Sequence, residues 1–351
     1  MKSRFVLFTV FAFLFVSVAA YAQRGQAAAP EWVSNLEKAY PSRDWVVVSA
    51  QGTSQPQAES SAMNALARAF KTDVASLTES SQRFSQIVSN SAGSRNISFD
   101  ESKNFSQDVN TSSNVRGLIG VQIDVYQAPD RTVYVNARMN RRECAARYTG
   151  MIQENVRVIN TLLTAAASYR DQATLDVYAR LSFAHKIALV TDNFQNILEV
   201  LDPAAANRKP GYGGANSIKT KMVECAAQIT FGIAIDTEVP ADKTLLTRAV
   251  GTYFRDLGFR INEQGRGNYV LKANARFESI SQNVMSCRYY LDAVLEDRNG
   301  ASIFSFTEDD RKSHPNNVSE AKRLAVRAAE TSLKEGKFAQ EFDTWLNSLL
   351  D

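Results

Sequence analysis

Histidine is the side chain best suited to acid–base chemistry near neutral pH, because its imidazole ring titrates close to about pH 6.5. The chain has only two histidines, His185 and His314. His314 follows the acidic run 308–310, whose carboxylates could orient an imidazole for general acid–base catalysis. The segment is strongly polar and indicates no cleft, so we favour a solvated turn that includes Asp310 and His314 over a catalytic site.

His185 lies between Leu181 and Ala188 at helical spacing, which predicts that it packs beside the apolar face of a helix. No Cys, His or carboxylate stands at metal-ligand spacing from it. The His-Glu-x-x-His pattern of zinc proteases is also absent from the sequence. We therefore predict no catalytic residue, no cofactor and no metal site.

The three cysteines, Cys144, Cys225 and Cys287, allow at most one intramolecular disulfide. Cys225 and Cys287 each begin a strand-like run, and neighbouring strands can bring two Cβ atoms within bridging range. The sequence thus permits a Cys225–Cys287 disulfide. The alternative, which we favour, is that all three cysteines are small buried apolar residues.

The glycine-rich segment 211–214 does not fit a phosphate-binding loop, which would follow a strand and end in Gly-Lys-Ser/Thr. A small basic spot is formed by Arg138, Arg141 and Arg142. This spot is compatible with a polyanion site. The neighbouring Glu143 and the near-neutral net charge of the chain instead favour the ordinary start of a helix.

The N-terminal residues 1–22 have the pattern of an export signal. Lys2 and Arg4 precede an apolar run of about 16 residues, and small residues then precede Gln23. The run is shorter than the roughly 20 residues that a spanning helix needs, so we predict cleavage before Gln23 and no transmembrane span in the mature chain. Since Gln23 is not a cysteine, the usual acceptor for a bacterial lipid anchor is missing.

The mature chain is almost neutral, with 38 Lys and Arg against 37 Asp and Glu once Lys2 and Arg4 are removed. Nucleic-acid partners and anionic membrane surfaces normally leave a clustered basic footprint, so this balance argues against both. A hydrophobic fraction of 44% and only 8 prolines are typical of folded globular domains.

The periodicity of the sequence predicts an α+β fold in two domains. In the N-terminal domain a strand at 45–49, a helix at 57–70 and a hairpin of strands at 115–125 and 132–139 form a sheet. Two long helical stretches, one from Ala145 to about 170 and one over 175–201, then form an antiparallel hairpin that covers this sheet. The serine-rich segment 78–113 favours strands and a mobile loop, or one face of a helix.

The C-terminal domain is predicted to be a mixed or antiparallel sheet with helices. Strands are predicted at 225–235, 269–280, 285–295 and 301–307, and helices at 245–257, 319–334 and 338–350. The domain organisation is therefore signal peptide 1–22, flexible leader and start of the fold 23–41, N-terminal domain 42–202, linker 203–220 and C-terminal α/β domain 221–351. We place the linker at 203–220 because this segment is rich in proline and glycine.

One part of the chain resembles a known family. Pro30-Glu31-Trp32-Val33, the strand ending near Gly52, the helix 58–70 and the run 134–141 leading into Tyr148 are similar to the lipoprotein-twenty family of bacterial envelope proteins. That family's domain is similar to the N-terminal domain of the flagellar assembly protein T. The resemblance covers about residues 30–201 and implies an α+β domain at the cell envelope without known catalysis.

We therefore expect an exported, non-enzymatic envelope protein, located in the periplasm or peripherally at the outer membrane. Its expected partners are envelope proteins that it binds or organises. A glycan or peptidoglycan binding module is the alternative, using the segment 78–113 and aromatic residues such as Tyr212. A hydrolase with an unrecognised site is the least favoured hypothesis.

Overall fold

The computed structural model of the chain describes residues 29–72, 118–169, 172–281 and 285–350, with a few isolated positions between 75 and 87. The predicted signal peptide lies outside the described residues, and so does nearly all of the serine-rich segment. The predicted α+β class is confirmed, with two sheets and two compact units. The first unit contains the described residues before Val74 and those of Leu118–Cys144, and the second contains the described positions of Ala75–Gly117 and the residues from Ala145 onward.

The first unit is a three-stranded antiparallel sheet with one helix packed against it. The strand order is β1-β3-β2, and Trp45 pairs with Asn140 at one end of the sheet. Its elements are α1 (Glu31–Ser34), α2 (Leu36–Ala39), β1 (Trp45–Gly52), α3 (Gln55–Ala69), β2 (Gln122–Gln127) and β3 (Val133–Asn140). The predicted strands, helix and hairpin are thus present.

Helix α3 lies close to β1 because small residues meet there. Ala58, Ala62 and Leu66 recur at helical spacing and are completely buried. A Cβ atom at Gly52 would come within 3.0 Å of the backbone nitrogen of Ala58, so only glycine fits at the end of β1 without displacing the helix.

The predicted antiparallel helical hairpin is also present, as α4 (Arg141–Ser168) and α5 (Leu175–Leu201). The side chain of Asn155 donates to the hydroxyl of Thr191 at 3.1 Å. The rings of Tyr148 and Phe194 meet edge to face, with their centroids 5.4 Å apart. From Ala145 onward the hairpin belongs to the second unit, whereas α3 is the helix that packs on the N-terminal sheet.

The segment 203–220, predicted as a linker, instead contains α6 (Pro203–Ala206) and the start of α7 (Ala215–Ala226). Helix α7 packs against α5, and the side chains of Tyr212, Ala215 and Ile218 are buried. Positive φ angles of 80° at Gly213 and 86° at Gly214 let the chain turn sharply into α7. The glycines therefore serve a tight turn inside the second unit, and the linker prediction is corrected.

A five-stranded mixed sheet completes the second unit, in the order β5-β4-β6-β7-β8. Strand β4 runs parallel to both of its neighbours, and the remaining pairs are antiparallel. The elements are β4 (Thr230–Asp236), α8 (Pro240–Asp256), β5 (Arg260–Asn262), β6 (Tyr269–Ser281), β7 (Met285–Glu296), β8 (Ser302–His314), α9 (Val318–Glu335) and α10 (Lys337–Ser348). The predicted mixed sheet with helices is confirmed.

The core of this part is aromatic. The rings of Phe231 and Phe254 stack with their centroids 4.1 Å apart, and Phe338 and Phe342 on α10 stack on each other at 6.2 Å. Phe304 on β8 contacts Phe342 edge to face at 5.6 Å. These contacts hold α8 and α10 on one face of the sheet. The side chains of the opposite face do not take part in this core. Within the described ranges, no helix is both long and apolar enough to cross a bilayer.

Candidate partner-binding surface

The two longest strand pairings, β6 with β7 and β7 with β8, place alternate side chains on opposite faces of the sheet. On β7 the side chains of Tyr289, Leu291 and Leu295 point to the helices and are buried. On β6 the alternate residues Lys272, Asn274, Arg276 and Glu278 are all exposed. One face of the sheet is thus an apolar core, while the opposite face is polar and open to solvent.

Tyr290 is the centre of this open face. Register places it directly opposite Arg276 on β6 and Asp309 on β8. The guanidinium carbon of Arg276 lies 5.2 Å from the centre of the Tyr290 ring, and that of Arg288 lies 5.1 Å away. The Tyr290 hydroxyl donates to a carboxylate oxygen of Glu278 at 3.2 Å. The ring is therefore held by two cation–π contacts and one hydrogen bond.

Carboxylates fix the two arginines in turn. The Nε atom of Arg288 donates to Oδ2 of Asp309 at 3.0 Å, and its Nη2 atom donates to the same oxygen. The Asp309 carboxylate raises the pKa of Arg288, whose guanidinium is charged throughout the physiological pH range. The Nη2 atom of Arg276 lies 3.8 Å from Oδ2 of Asp292. We call these six residues the Tyr290 surface: Arg276, Glu278, Arg288, Tyr290, Asp292 and Asp309.

The Tyr290 surface combines rigidity with exposure. About half of each of the four side chains in its two ion pairs stays accessible to solvent, from 45% for Arg288 to 57% for Arg276. Its ion pairs contribute little to stability, because exposed pairs are typically worth about 0–1 kcal/mol. Their main physical effect is to hold two guanidinium groups and a phenol ring in one arrangement.

Sequence reasoning missed this surface. The runs from Lys272 to Glu278 and from Arg288 to Asp292 alternate polar and apolar residues, which predicts strands with one solvent face. That alternation was the available signal. Which arginine meets which carboxylate depends on the register of three strands, and the sequence does not specify it.

The Cys225–Cys287 disulfide that the sequence permits is not formed, and the favoured alternative of three buried cysteines agrees with the structure. Cys144, Cys225 and Cys287 are all free and buried. Cys225 lies at the end of helix α7 and not at the start of a strand, while Cys287 lies in β7. The strand predicted from 225 begins only at Thr230, because residues 225 and 226 complete the apolar face of α7.

The two histidines occupy regular elements. His314 is the last residue of β8 and pairs with Met285, so the predicted solvated turn is corrected. Asp310 is four residues earlier on the same strand, which separates the two Cα atoms by about 13 Å. The Asp310 carboxylate instead pairs with Lys312 at 2.6 Å, and this contact lowers the pKa of Asp310. His314 and Asp310 are therefore not brought together.

His185 lies on α5, half-buried, and its Nδ1 atom has no hydrogen-bond partner in the described part of the chain. Burial lowers the pKa of His185, and the positive charges of Lys219 and Lys186 lower it further. Among the residues that the structure describes, no three His, Cys, Asp or Glu side chains are grouped to hold a metal ion.

The arginines of the basic spot predicted before α4 each contact a different group. Arg138 pairs with Asp124, and its guanidinium lies 4.6 Å from the centre of the Tyr40 ring. Arg141 donates from Nε to the carbonyl oxygen of Ser42 at 2.9 Å. These arginines hold the segment before β1 to the sheet, in agreement with the favoured reading as a helix entrance.

Comparison with known proteins gives no family for this chain: no family model matches it, and no curated protein matches it. Three solved structures show partial likeness. A minor lipoprotein from Acinetobacter baumannii is 14% identical, with a TM-score of 0.24 over 34% of this chain and 92% of the other. A protein from Xanthomonas campestris is 15% identical, with a TM-score of 0.25 over 35% and 85%.

The third structure, a secreted protein from Helicobacter pylori, is 11% identical, with a TM-score of 0.36 over 82% of this chain and 97% of the other. The lipoprotein-twenty resemblance stays a prediction, and the link to the flagellar assembly protein T is not confirmed.

Proposed function

We propose that the protein is an exported, non-enzymatic envelope protein that binds a protein partner through the Tyr290 surface. The export signal over residues 1–22 supports the location, in the periplasm or peripherally at the outer membrane. The observation that carries the binding role is the half-buried Tyr290 ring, which Arg276 and Arg288 hold on the open face of the sheet.

Tyrosine and arginine are the residue types most enriched among those that dominate the energy of protein interfaces. Here Asp292, Asp309 and Glu278 already fix them, so association would cost less side-chain entropy than it would for free side chains. The surface carries two guanidinium groups and three carboxylates, which favours a partner of mixed charge.

A glycan or peptidoglycan partner is the second hypothesis, and the described aromatic residues favour it less. Sugar rings stack on open aromatic faces, but guanidinium groups lie over the Tyr290 ring. Tyr212, the aromatic residue expected to contact glycan, is only 6% exposed, so that expectation is corrected.

The test is affinity capture from envelope extracts with the mature chain, comparing wild type with Tyr290→Ala and Arg288→Glu. We expect both variants to lose at least tenfold of a specifically captured protein, since interface anchors typically contribute about 2 kcal/mol or more. Arg248→Glu is the matched control, because Arg248 is an exposed arginine on helix α8. Sedimentation with purified cell wall examines the glycan alternative.

Equal capture by all four chains would contradict a role for the Tyr290 surface. If wild type sediments with cell wall and Tyr290→Ala does not, the partner of the Tyr290 surface is a glycan and not a protein.

A further inference from the structure

A cavity of about 320 Å³ opens within the second unit, where helices α4, α5 and α7 meet. Its walls are formed by Leu163 and Ala166 of α4, Val177 and Leu181 of α5, and Cys225 of α7. All but Leu163 are buried, and Leu163 packs against the same apolar core. The volume lies at the lower end of the range of about 300–1,000 Å³ that is typical of small-ligand sites.

The Cys225 thiol belongs to the apolar wall. Burial raises the pKa of Cys225 to about 11, so the thiol is uncharged at neutral pH. A neutral thiol behaves as a small apolar group, and it reacts only slowly as a nucleophile because the thiolate fraction is small. The interior of the cavity therefore suits an alkyl chain.

The mouth of the cavity is polar and carries Gln172, Lys221, Glu224 and Gln228. The Gln228 amide is already engaged, because it donates to the backbone oxygen of Glu224 at 3.2 Å. Lys221 has no ion-pair partner in the part of the chain that the structure describes. An ammonium group beside an apolar cavity matches a ligand with an anionic head and an alkyl tail.

Glu224 narrows the choice of head group. It lies one helical turn beyond Lys221 and would repel additional negative charge. A head with a single carboxylate can contact Lys221 and the Gln172 amide while staying away from Glu224, whereas a dianionic phosphate meets stronger repulsion. The mouth thus favours a monocarboxylate.

The geometry points to a binding site for a straight-chain fatty acid with about ten carbons. A methylene group fills about the same space as a water molecule, roughly 30 Å³, so the 320 Å³ cavity holds about ten such groups. The carboxylate lies at the mouth beside Lys221, and the tail contacts Val177, Leu181 and Cys225. This site is separate from the Tyr290 surface and does not depend on the proposed function.

Calorimetric titration of the mature chain with decanoate is the first test. We expect saturable 1:1 binding that Lys221→Gln weakens about fivefold, as for an exposed charge pair, while Glu224→Gln leaves it equal or tighter. Decanol is the neutral probe, and its binding should not change in Lys221→Gln. No decanoate binding by wild type, or equal binding by wild type and Lys221→Gln, overturns the proposal.

Cys225 supplies an internal reporter for the second test. Alkylation of each cysteine in the folded chain is followed by peptide mass spectrometry. At a decanoate concentration ten times the dissociation constant, the rate at Cys225 should fall about tenfold, because the occupied cavity is closed to the reagent. Cys287 in β7 is the control: equal slowing at Cys225 and Cys287 would place the ligand elsewhere and contradict the site.

Discussion

The hydroxyl of Tyr212 donates a hydrogen bond to the Asp192 carboxylate, with 2.6 Å between the two oxygens. The other carboxylate oxygen accepts from the backbone nitrogen of Ala215 at 3.0 Å, at the first residue of α7. One side chain on α5 thus holds both the glycine-rich turn and the helix that follows it. This contact makes the segment 203–220 part of the second unit.

Removing that hydroxyl should destabilise the protein. Tyr212→Phe is expected to lower the free energy of unfolding by about 1.5–3 kcal/mol, because it deletes a partly buried hydrogen bond to a charged group. Urea denaturation followed by circular dichroism measures the change. Tyr134→Phe is the control, since the Tyr134 hydroxyl has no hydrogen bond within the described ranges. A midpoint unchanged in Tyr212→Phe would mean that the contact contributes nothing.

This contact also explains why the linker was predicted wrongly. Proline and glycine content reports local backbone preference, and here it correctly indicates a turn with positive φ at Gly213 and Gly214. It does not report whether the turn is packed. The turn is packed through Asp192, which lies on α5, 20 residues before Tyr212. No local sequence pattern around the turn includes this residue.

The cysteines give a direct chemical prediction. Alkylation of the denatured, non-reduced mature chain should modify three thiols, because Cys144, Cys225 and Cys287 are free. Intact-mass spectrometry counts the added groups. Modification of a single cysteine would contradict the structure and restore the Cys225–Cys287 pairing that the sequence permits.

His185 should make the folded state sensitive to acid. Its pKa is lowered from 6.5 by burial, Lys219 and Lys186, against an opposing effect of Asp192. The unfolded state therefore takes up a proton first as the pH falls, and stability decreases from about pH 6.5 down to the folded pKa. In His185→Gln the decrease between pH 7 and pH 5 should be smaller. Urea midpoints measured across that range test this, and parallel curves for wild type and variant would refute it.

Element types were predictable wherever periodicity was strong. The alternation on β6 and β7 and the helical spacing of Ala58, Ala62 and Leu66 reflect burial on one face, which sequence records directly. The extent of β8 was underpredicted, because residues 308–314 are polar on both faces and match a loop in composition. Their pairing with β7 supplies the backbone hydrogen bonds that make them a strand.

The candidate site was less predictable than the fold. Arg276 and Arg288 are 12 positions apart in sequence. The local pattern around each one predicts only a polar residue on the solvent face of a strand. The β6–β7 register places Arg276 over the Tyr290 ring, while Arg288 contacts the ring from two positions earlier on the same strand. Binding surfaces of this kind arise from pairing between strands, so they appear once the register is known.

The central claim is that Tyr290 contacts a protein partner in the cell envelope. Site-specific photo-crosslinking tests it most directly, with Tyr290→p-benzoylphenylalanine in cells and Arg248→p-benzoylphenylalanine as the matched position on α8. We predict one discrete crosslinked protein of higher mass from position 290 and none from position 248. The same crosslinks from both positions, or none from position 290, would contradict the proposed function.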